Sequence, residues 1–170
     1  MKLSFPAVAR VAAAFGLLLA ALVPMAALAQ DYPASHIPES DKQAIQNYQL
    51  NDDVFKRIVA VSQEAKAAGI KPSEAPTDFN KIHSLEDLAN QVVSADPRIA
   101  PLIKKYGFTP RDFLLANLAV TNAAIASEAK SNPEMAKYVD QKKVNQANVA
   151  FYESHKAQIS ALMKESDDGK

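Results

Sequence analysis

The chain has 170 residues, with 19 basic and 19 acidic side chains and no cysteine. This composition excludes disulfides, cysteine-based zinc sites, covalent haem attachment and a thiol nucleophile. The even charge balance lacks the basic excess that a nucleic-acid backbone attracts, so no nucleic-acid partner is expected.

The N-terminal segment predicts export. Lys2 and Arg10 form a basic start, an apolar stretch covers residues 11–23, and residues 27–29 form a small-x-small cleavage site. This pattern is typical of a secretory signal peptide over residues 1–29. The apolar stretch is shorter than the roughly 20 residues of a membrane-spanning helix, so cleavage leaves no transmembrane anchor. We expect a periplasmic protein, with secretion into the medium as the second choice.

Two prolines and no periodicity predict a flexible leader over residues 30–39. Ser40 and Gln43 have the spacing of a capping box, which indicates a helix start. Apolar residues then recur every three or four positions over residues 50–68, which predicts an amphipathic helix ending at Gly69. A second start at residues 51–52 is the alternative, and it makes residues 41–49 a separate turn.

Three further helix starts share one chemistry, a short polar cap followed by proline or by a carboxylate in the first turn. They lie at residues 84–87, 96–97 and 109–112, and the short helix that starts at 96–97 is expected to end at Gly107. The helix predicted from Pro110 to about Lys130 carries no charge over residues 113–127. A helix that is apolar nearly all round is a buried one, so we expect it at the centre of the fold.

A cap at residues 132–133 opens the last helical segment, which extends to about residue 165 before a disordered tail over residues 166–170. Its polar middle precedes Asn145, which offers a restart. The expected inward residues are Val149, Tyr152, Ile159 and Met163. Together these elements predict a single all-α domain over residues 40–165, a bundle of four to five helices around residues 110–130.

Three segments resemble small exported helical proteins of Gram-negative bacteria that carry no assigned activity. They are LNDDVFKR at 50–57, YGFTPRDF at 106–113 and NVAFYESHK at 148–156. The resemblance covers about two-thirds of the chain after the signal peptide. It implies export and helicity, and it implies no catalytic residue.

Polar residues of the uncharged helix are the first candidates for a ligand site. Asn117 and Thr121 are four positions apart and share a face, and Asn122 lies about a quarter-turn away. Buried amides and hydroxyls need hydrogen-bond partners, so they either join neighbouring elements or line a pocket. Tyr152 and His155 on the last helix complete the candidate ligand-binding set.

His155 also raises the question of a metal or haem. The other histidines, His36 and His83, are expected in loops, and zinc sites need three or four ligands at short spacing. No metal site and no cofactor is therefore expected. Lys104, Lys105 and Arg111 form a basic corner near Gly107, and they are the candidates for contact with an anionic partner.

The chain has too few glycines for a phosphate-binding loop, and it lacks the motif of a nucleophile elbow. We therefore expect a non-enzymatic periplasmic binding or interaction protein that holds a protein partner in the cell envelope or a small apolar ligand. The alternatives are a toxin-neutralising immunity or inhibitor protein and an envelope stress chaperone. A metal- or haem-binding bundle and an enzyme are less favoured.

Overall fold

The computed structural model describes residues 38–70, 82–137, 139–140 and 143–167, with the side chains of the last helix described as far as Ile159. The regular structure of these residues is entirely helical, which confirms the all-α prediction. The described part contains seven helices: α1 (Glu39–Asn47), α2 (Asp52–Ala67), α3 (Leu85–Ser94), α4 (Ile99–Lys105), α5 (Pro110–Ser131), α6 (Pro133–Ala136) and α7 (Gln146–Asp167).

The described helices outnumber the expected four to five because two of the expected segments are divided at an asparagine. The Asn51 side chain accepts a hydrogen bond from the Val54 N–H, so α2 starts separately from α1. Asn145 accepts from the N–H groups of Ala147 and Asn148 and thereby starts α7. Asparagine suits both positions because its side chain satisfies the free N–H groups of a first turn.

The expected caps at the starts of α3 and α5 are present in full, and Asn132 caps α6 as expected. The Ser84 hydroxyl accepts from the Asp87 N–H at 3.1 Å at the start of α3. The Thr109 hydroxyl accepts from the Asp112 N–H at 3.0 Å, and Pro110 is the first residue of α5. These two starts confirm that a polar cap followed by a first-turn carboxylate fixes where a helix begins.

Two other expected starts are wrong. No side chain caps α1, and Ser40 lies inside its first turn because the Pro38 carbonyl already accepts the first helical hydrogen bonds. Asp96 accepts from the Arg98 N–H at 2.8 Å, but this bond holds a turn. The helix α4 begins only at Ile99, after that turn.

Glycines end α2 and α4, with φ of 64° at Gly69 and 75° at Gly107. The next residue in each case, Ile70 or Phe108, donates its N–H to a carbonyl five residues back, at 2.9 and 3.0 Å. This is the Schellman arrangement, which needs a left-handed residue and therefore favours glycine. Both predicted helix ends are confirmed.

The helix α5 lies at the centre of the bundle and contacts α1, α2, α3, α4, α6 and α7. Most of its side chains are buried, which confirms the expected central helix. Its large buried residues are Phe113, Leu114, Leu115 and Val120.

Two apolar clusters share α5. The larger one is built from α2, α4, α5 and α7, and its fully buried residues include Ile58, Ile103 and Val149. The smaller one consists of Leu85 and Ala89 of α3 with Leu114 and Leu115 of α5. Side chains of α1 pack against this second cluster and stay partly exposed themselves.

Several expectations concern residues outside those described. They are the signal peptide at 1–29, most of the leader at 30–39, the loop after Ile70 and the end of the tail at 168–170. The side chain of Met163 also lies outside them. In the described part, no helix is long and apolar enough to cross a membrane.

Candidate functional site

The three polar candidates on α5 lie in three different surroundings. Asn117 is only 1% exposed, and its side-chain N–H donates to the Phe113 carbonyl of the same helix at 2.7 Å. Thr121 is half-buried, and Asn122 is exposed. The Asn117 hydrogen bond therefore stays within α5 instead of reaching a neighbouring helix.

His155 on α7 belongs to a cluster of rings. Its ring stacks on Phe151, with centroids 4.1 Å apart, and meets Phe55 of α2 edge-on at 5.3 Å. Nε2 lies 3.1 Å from Asp52 Oδ1, and Nδ1 lies 2.9 Å from the Phe151 carbonyl oxygen. The Phe151 carbonyl and the Asp52 carboxylate both accept, so each contact is a hydrogen bond when the ring nitrogen that faces it carries the proton. His155 thus ties α7 to the first turn of α2.

Tyr152 is 2% exposed and faces the main core. Burial raises the pKa of its hydroxyl. Within the described part of the chain, no hydrogen bond joins Asn117, Tyr152 and His155 to one another. Nor do the described residues contain a group of three or more side chains that could hold a metal ion.

The three predicted cations near Gly107 do not form one anion-binding surface. Lys105 donates to both carboxylate oxygens of Glu64 on α2, at 2.8 and 2.6 Å. Arg111 pairs with Asp41 on α1 at 2.7 Å. Lys104 is exposed. Two of the three cations are thus already paired with carboxylates on two different helices.

The cation that holds the Gly107 turn is Arg57 on α2, which the sequence did not indicate. Its guanidinium donates to the Tyr106 and Gly107 carbonyls, both at 3.3 Å, and lies 4.5 Å from the centre of the Phe108 ring. Arginine suits this place because its planar group bonds carbonyls and stacks on an aromatic ring together. The end of α4 is thereby fixed against α2.

Asp41 is the most informative residue that the sequence did not indicate. It is 5% exposed, and its two carboxylate oxygens are bound from two helices. Oδ2 accepts from the Leu85 N–H of α3 at 2.8 Å, and Oδ1 accepts from Arg111 of α5 at 2.7 Å. Burial alone raises the pKa of Asp41, but these two partners outweigh it and hold the pKa below its ordinary value.

Two asparagines hold the segment between α1 and α2. The buried Asn148 of α7 accepts from the Leu50 N–H at 2.9 Å and donates to the Tyr48 carbonyl at 2.8 Å. Asn145 donates to the Gln46 and Tyr48 carbonyls at 3.0 and 3.2 Å. The C-terminal end of α1 is therefore fixed to the start of α7.

Large apolar side chains remain partly exposed where α1, α3 and α5 meet, over the smaller buried cluster. We name this surface the α1–α3–α5 seam. It consists of Ala44, Ile45, Tyr48, Leu88, Val92 and Leu118. The seam groups partly exposed apolar side chains from three neighbouring helices, which is expected of a surface that contacts another protein.

Comparison with known proteins gives no match, either to a protein-family model, to a curated protein or to a solved structure. The function therefore rests on the geometry of the seam and of the polar contacts around it.

Proposed function

We propose that the protein is an exported, non-enzymatic helical protein that binds a protein partner in the cell envelope through the α1–α3–α5 seam. The observation that carries this proposal is the partial exposure of Leu88 and Leu118 over a buried cluster. Each of these side chains would lose its remaining water contact when a partner covers the seam, and removing apolar surface from water favours association.

The buried and half-buried polar side chains support a binding role because their hydrogen bonds hold helices together. Asp41 joins three helices, His155 joins α7 to α2, and Asn148 fixes the segment before α2. A bundle with a partly exposed apolar surface can present that surface to a partner. The signal-like segment at residues 1–29 is the basis for placing this partner in the periplasm.

Site-specific crosslinking in the bacterium that makes the protein tests the proposal. A photo-reactive phenylalanine analogue replaces Leu118 in the seam, and a matched variant carries it at the exposed Ala157 of α7. We expect one partner to crosslink from position 118 in near-stoichiometric yield and not from position 157. Crosslinking that is equal at the two positions would contradict the proposal.

A second pair of variants separates binding from folding. Leu88→Gln places an amide in the seam, and Ala100→Gln places the same side chain on an exposed part of α4. We expect Leu88→Gln to abolish the crosslink from position 118 while the circular dichroism spectrum stays helical, and Ala100→Gln to leave the crosslink intact. A secreted toxin as the captured partner would identify the protein as an inhibitor.

Binding of an apolar dye to the native protein distinguishes an envelope stress chaperone from a protein that binds one partner through the seam. A holdase keeps a broad apolar surface accessible, whereas the apolar side chains of the seam are only partly exposed. We expect little dye fluorescence at neutral pH. Strong fluorescence with the fold intact would favour a chaperone over a protein with one partner.

A further inference from the structure

The helix α1 is attached to the bundle in an unusual way. Its only buried residue is an aspartate, Asp41, while its apolar residues Ala44, Ile45 and Tyr48 are half-buried. No side chain caps its first turn. A helix of nine residues is also too short to persist on its own in water, so α1 depends on what holds it against α3 and α5.

The N-terminal half of α1 is held by the carboxylate of Asp41. Two donors bind this carboxylate, the Leu85 N–H at the start of α3 and the Arg111 guanidinium of α5. We name these two donors the Asp41 seat. The first turn of a helix and a guanidinium both favour a negative charge. The seat thus offers one guanidinium and one backbone N–H to a single carboxylate, beside an apolar surface.

The C-terminal half of α1 is held differently, by amide hydrogen bonds from α7. Asn145 and Asn148 bind the carbonyls of Gln46 and Tyr48 and the N–H of Leu50. These bonds involve the backbone of the connection, so they stay in place if the first part of α1 swings away. The geometry gives α1 a hinge at residues 46–50 and a single ionic latch at Asp41.

From this arrangement we infer that α1 is a detachable strap over the α3–α5 part of the seam, and that the partner is an amphipathic helix that replaces it. This inference rests on the proposed function for the existence of the partner. The partner helix carries a carboxylate for the Asp41 seat, followed by apolar residues three and four positions later. That spacing is the one α1 itself uses with Asp41, Ala44 and Ile45.

Amide hydrogen exchange on the chain from Gln30 to Lys170 tests the strap without any partner. We compare the unsubstituted protein with Asp41→Asn, which removes the charge at the latch, and with Asp53→Asn, which removes an exposed carboxylate that pairs with Arg57 on α2. Exchange in α1 is expected to be about tenfold to a hundredfold faster in Asp41→Asn, because a hydrogen bond to a charged group is lost. The exchange rate of α5 is expected to stay unchanged in Asp41→Asn. In Asp53→Asn, the exchange rates of both α1 and α5 are expected to stay unchanged.

Exchange of α1 and α5 at one common rate in all three proteins would overturn the strap, since α1 would then open only when the whole domain unfolds. The crosslinking at position 118 does not depend on this result. A strap without a crosslinked partner contradicts the proposed function alone, and a crosslinked partner without independent α1 opening contradicts the strap alone.

The partner chemistry is tested with a synthetic peptide of residues 38–49, which reproduces α1, labelled with a fluorophore. A matched peptide carries Asn in place of Asp41. Fluorescence anisotropy is expected to show that the acidic peptide binds the Asp41→Asn protein about tenfold or more tightly than the Asn peptide does. It binds the unsubstituted protein more weakly, because the attached α1 competes at a high effective concentration. Equal binding of the two peptides, or none, would overturn the acidic helix as partner.

Discussion

Two helices of this bundle are held by opposite means. The helix α5 buries apolar side chains on nearly all sides, and its largest buried residue, Phe113, is 2% exposed. The helix α1 buries one carboxylate and leaves its aliphatic residues half-exposed. Apolar burial has no preferred direction and is spread over many contacts, whereas an ionic latch depends on a single geometry. The contrast predicts that α5 opens only with the whole domain, whereas α1 opens alone.

Truncating a core side chain of α5 is expected to have the largest effect on stability. Phe113→Ala removes a ring that packs in the main core and meets Phe108 edge-on at 5.6 Å. Loss of a buried phenylalanine lowers the free energy of unfolding by about 3–5 kcal/mol. Urea denaturation followed by circular dichroism measures this loss.

The matched change on α1 is Ile45→Ala, which removes a half-buried aliphatic side chain. We expect a loss of about 1 kcal/mol or less in the free energy of unfolding, since only part of its surface leaves water on folding. If Ile45→Ala cost as much as Phe113→Ala, α1 would belong to the core and the contrast between the two helices would be wrong.

The hinge of α1 gives the next largest effect. Asn148→Ala leaves the Leu50 N–H without its acceptor in a buried position. An unsatisfied buried group costs about 1–3 kcal/mol, so the midpoint of urea unfolding shifts to a lower concentration. Asn122→Ala is the control, because it removes an exposed amide from α5 and is expected to change the free energy of unfolding by less than about 0.5 kcal/mol.

Acid is expected to release α1 before it unfolds α5. The pKa of Asp41 is lowered in the fold by Leu85 N–H and by Arg111, despite the opposing effect of burial. A lowered folded-state pKa gives stabilisation that is complete above the ordinary aspartate pKa and is lost as the pH falls through the folded value. Amide exchange of α1 relative to α5, corrected for intrinsic rates and followed from neutral to acid pH, measures this release.

Glu86 and Asp87 are two further carboxylates in the first turn of α3, which supplies the Leu85 N–H to Asp41. The Asp41→Asn protein is therefore the control for them, since it keeps both. Its α1 exchange relative to α5 should be fast at every pH and change little with acid. A pH response that persists in this variant would assign the release of α1 to groups other than Asp41.

The sequence predicted the elements whose cause is local. Helix starts at Ser84 and Thr109 and helix ends at Gly69 and Gly107 follow from residues within one turn of each other. The central position of α5 follows from a composition that leaves no polar face over residues 113–127. These features can be predicted without knowing which other helices lie nearby.

The contacts that define the candidate site were not predictable in the same way because their partners lie far apart along the chain. Asp41 bonds to Leu85 and Arg111, and Asn148 bonds to Leu50. An aspartate three residues after a proline, in a polar segment, is typical of a solvated helix start. Only the packing of α1 against α3 and α5 distinguishes a buried latch from an exposed carboxylate.

Helix capping provides the smallest expected difference between α5 and α1. Thr109→Ala removes the hydroxyl that accepts from the Asp112 N–H, and the loss of an N-cap lowers the free energy of unfolding by about 1 kcal/mol. Ser40→Ala removes a hydroxyl of the same kind from the first turn of α1, where no side chain forms a cap. Alanine is the better helix former, so this change should be neutral or stabilise α1 by up to about 0.5 kcal/mol. A cost near 1 kcal/mol for Ser40→Ala in urea denaturation would show that α1 starts at a capping box, and it would weaken the case that Asp41 alone holds its first turn.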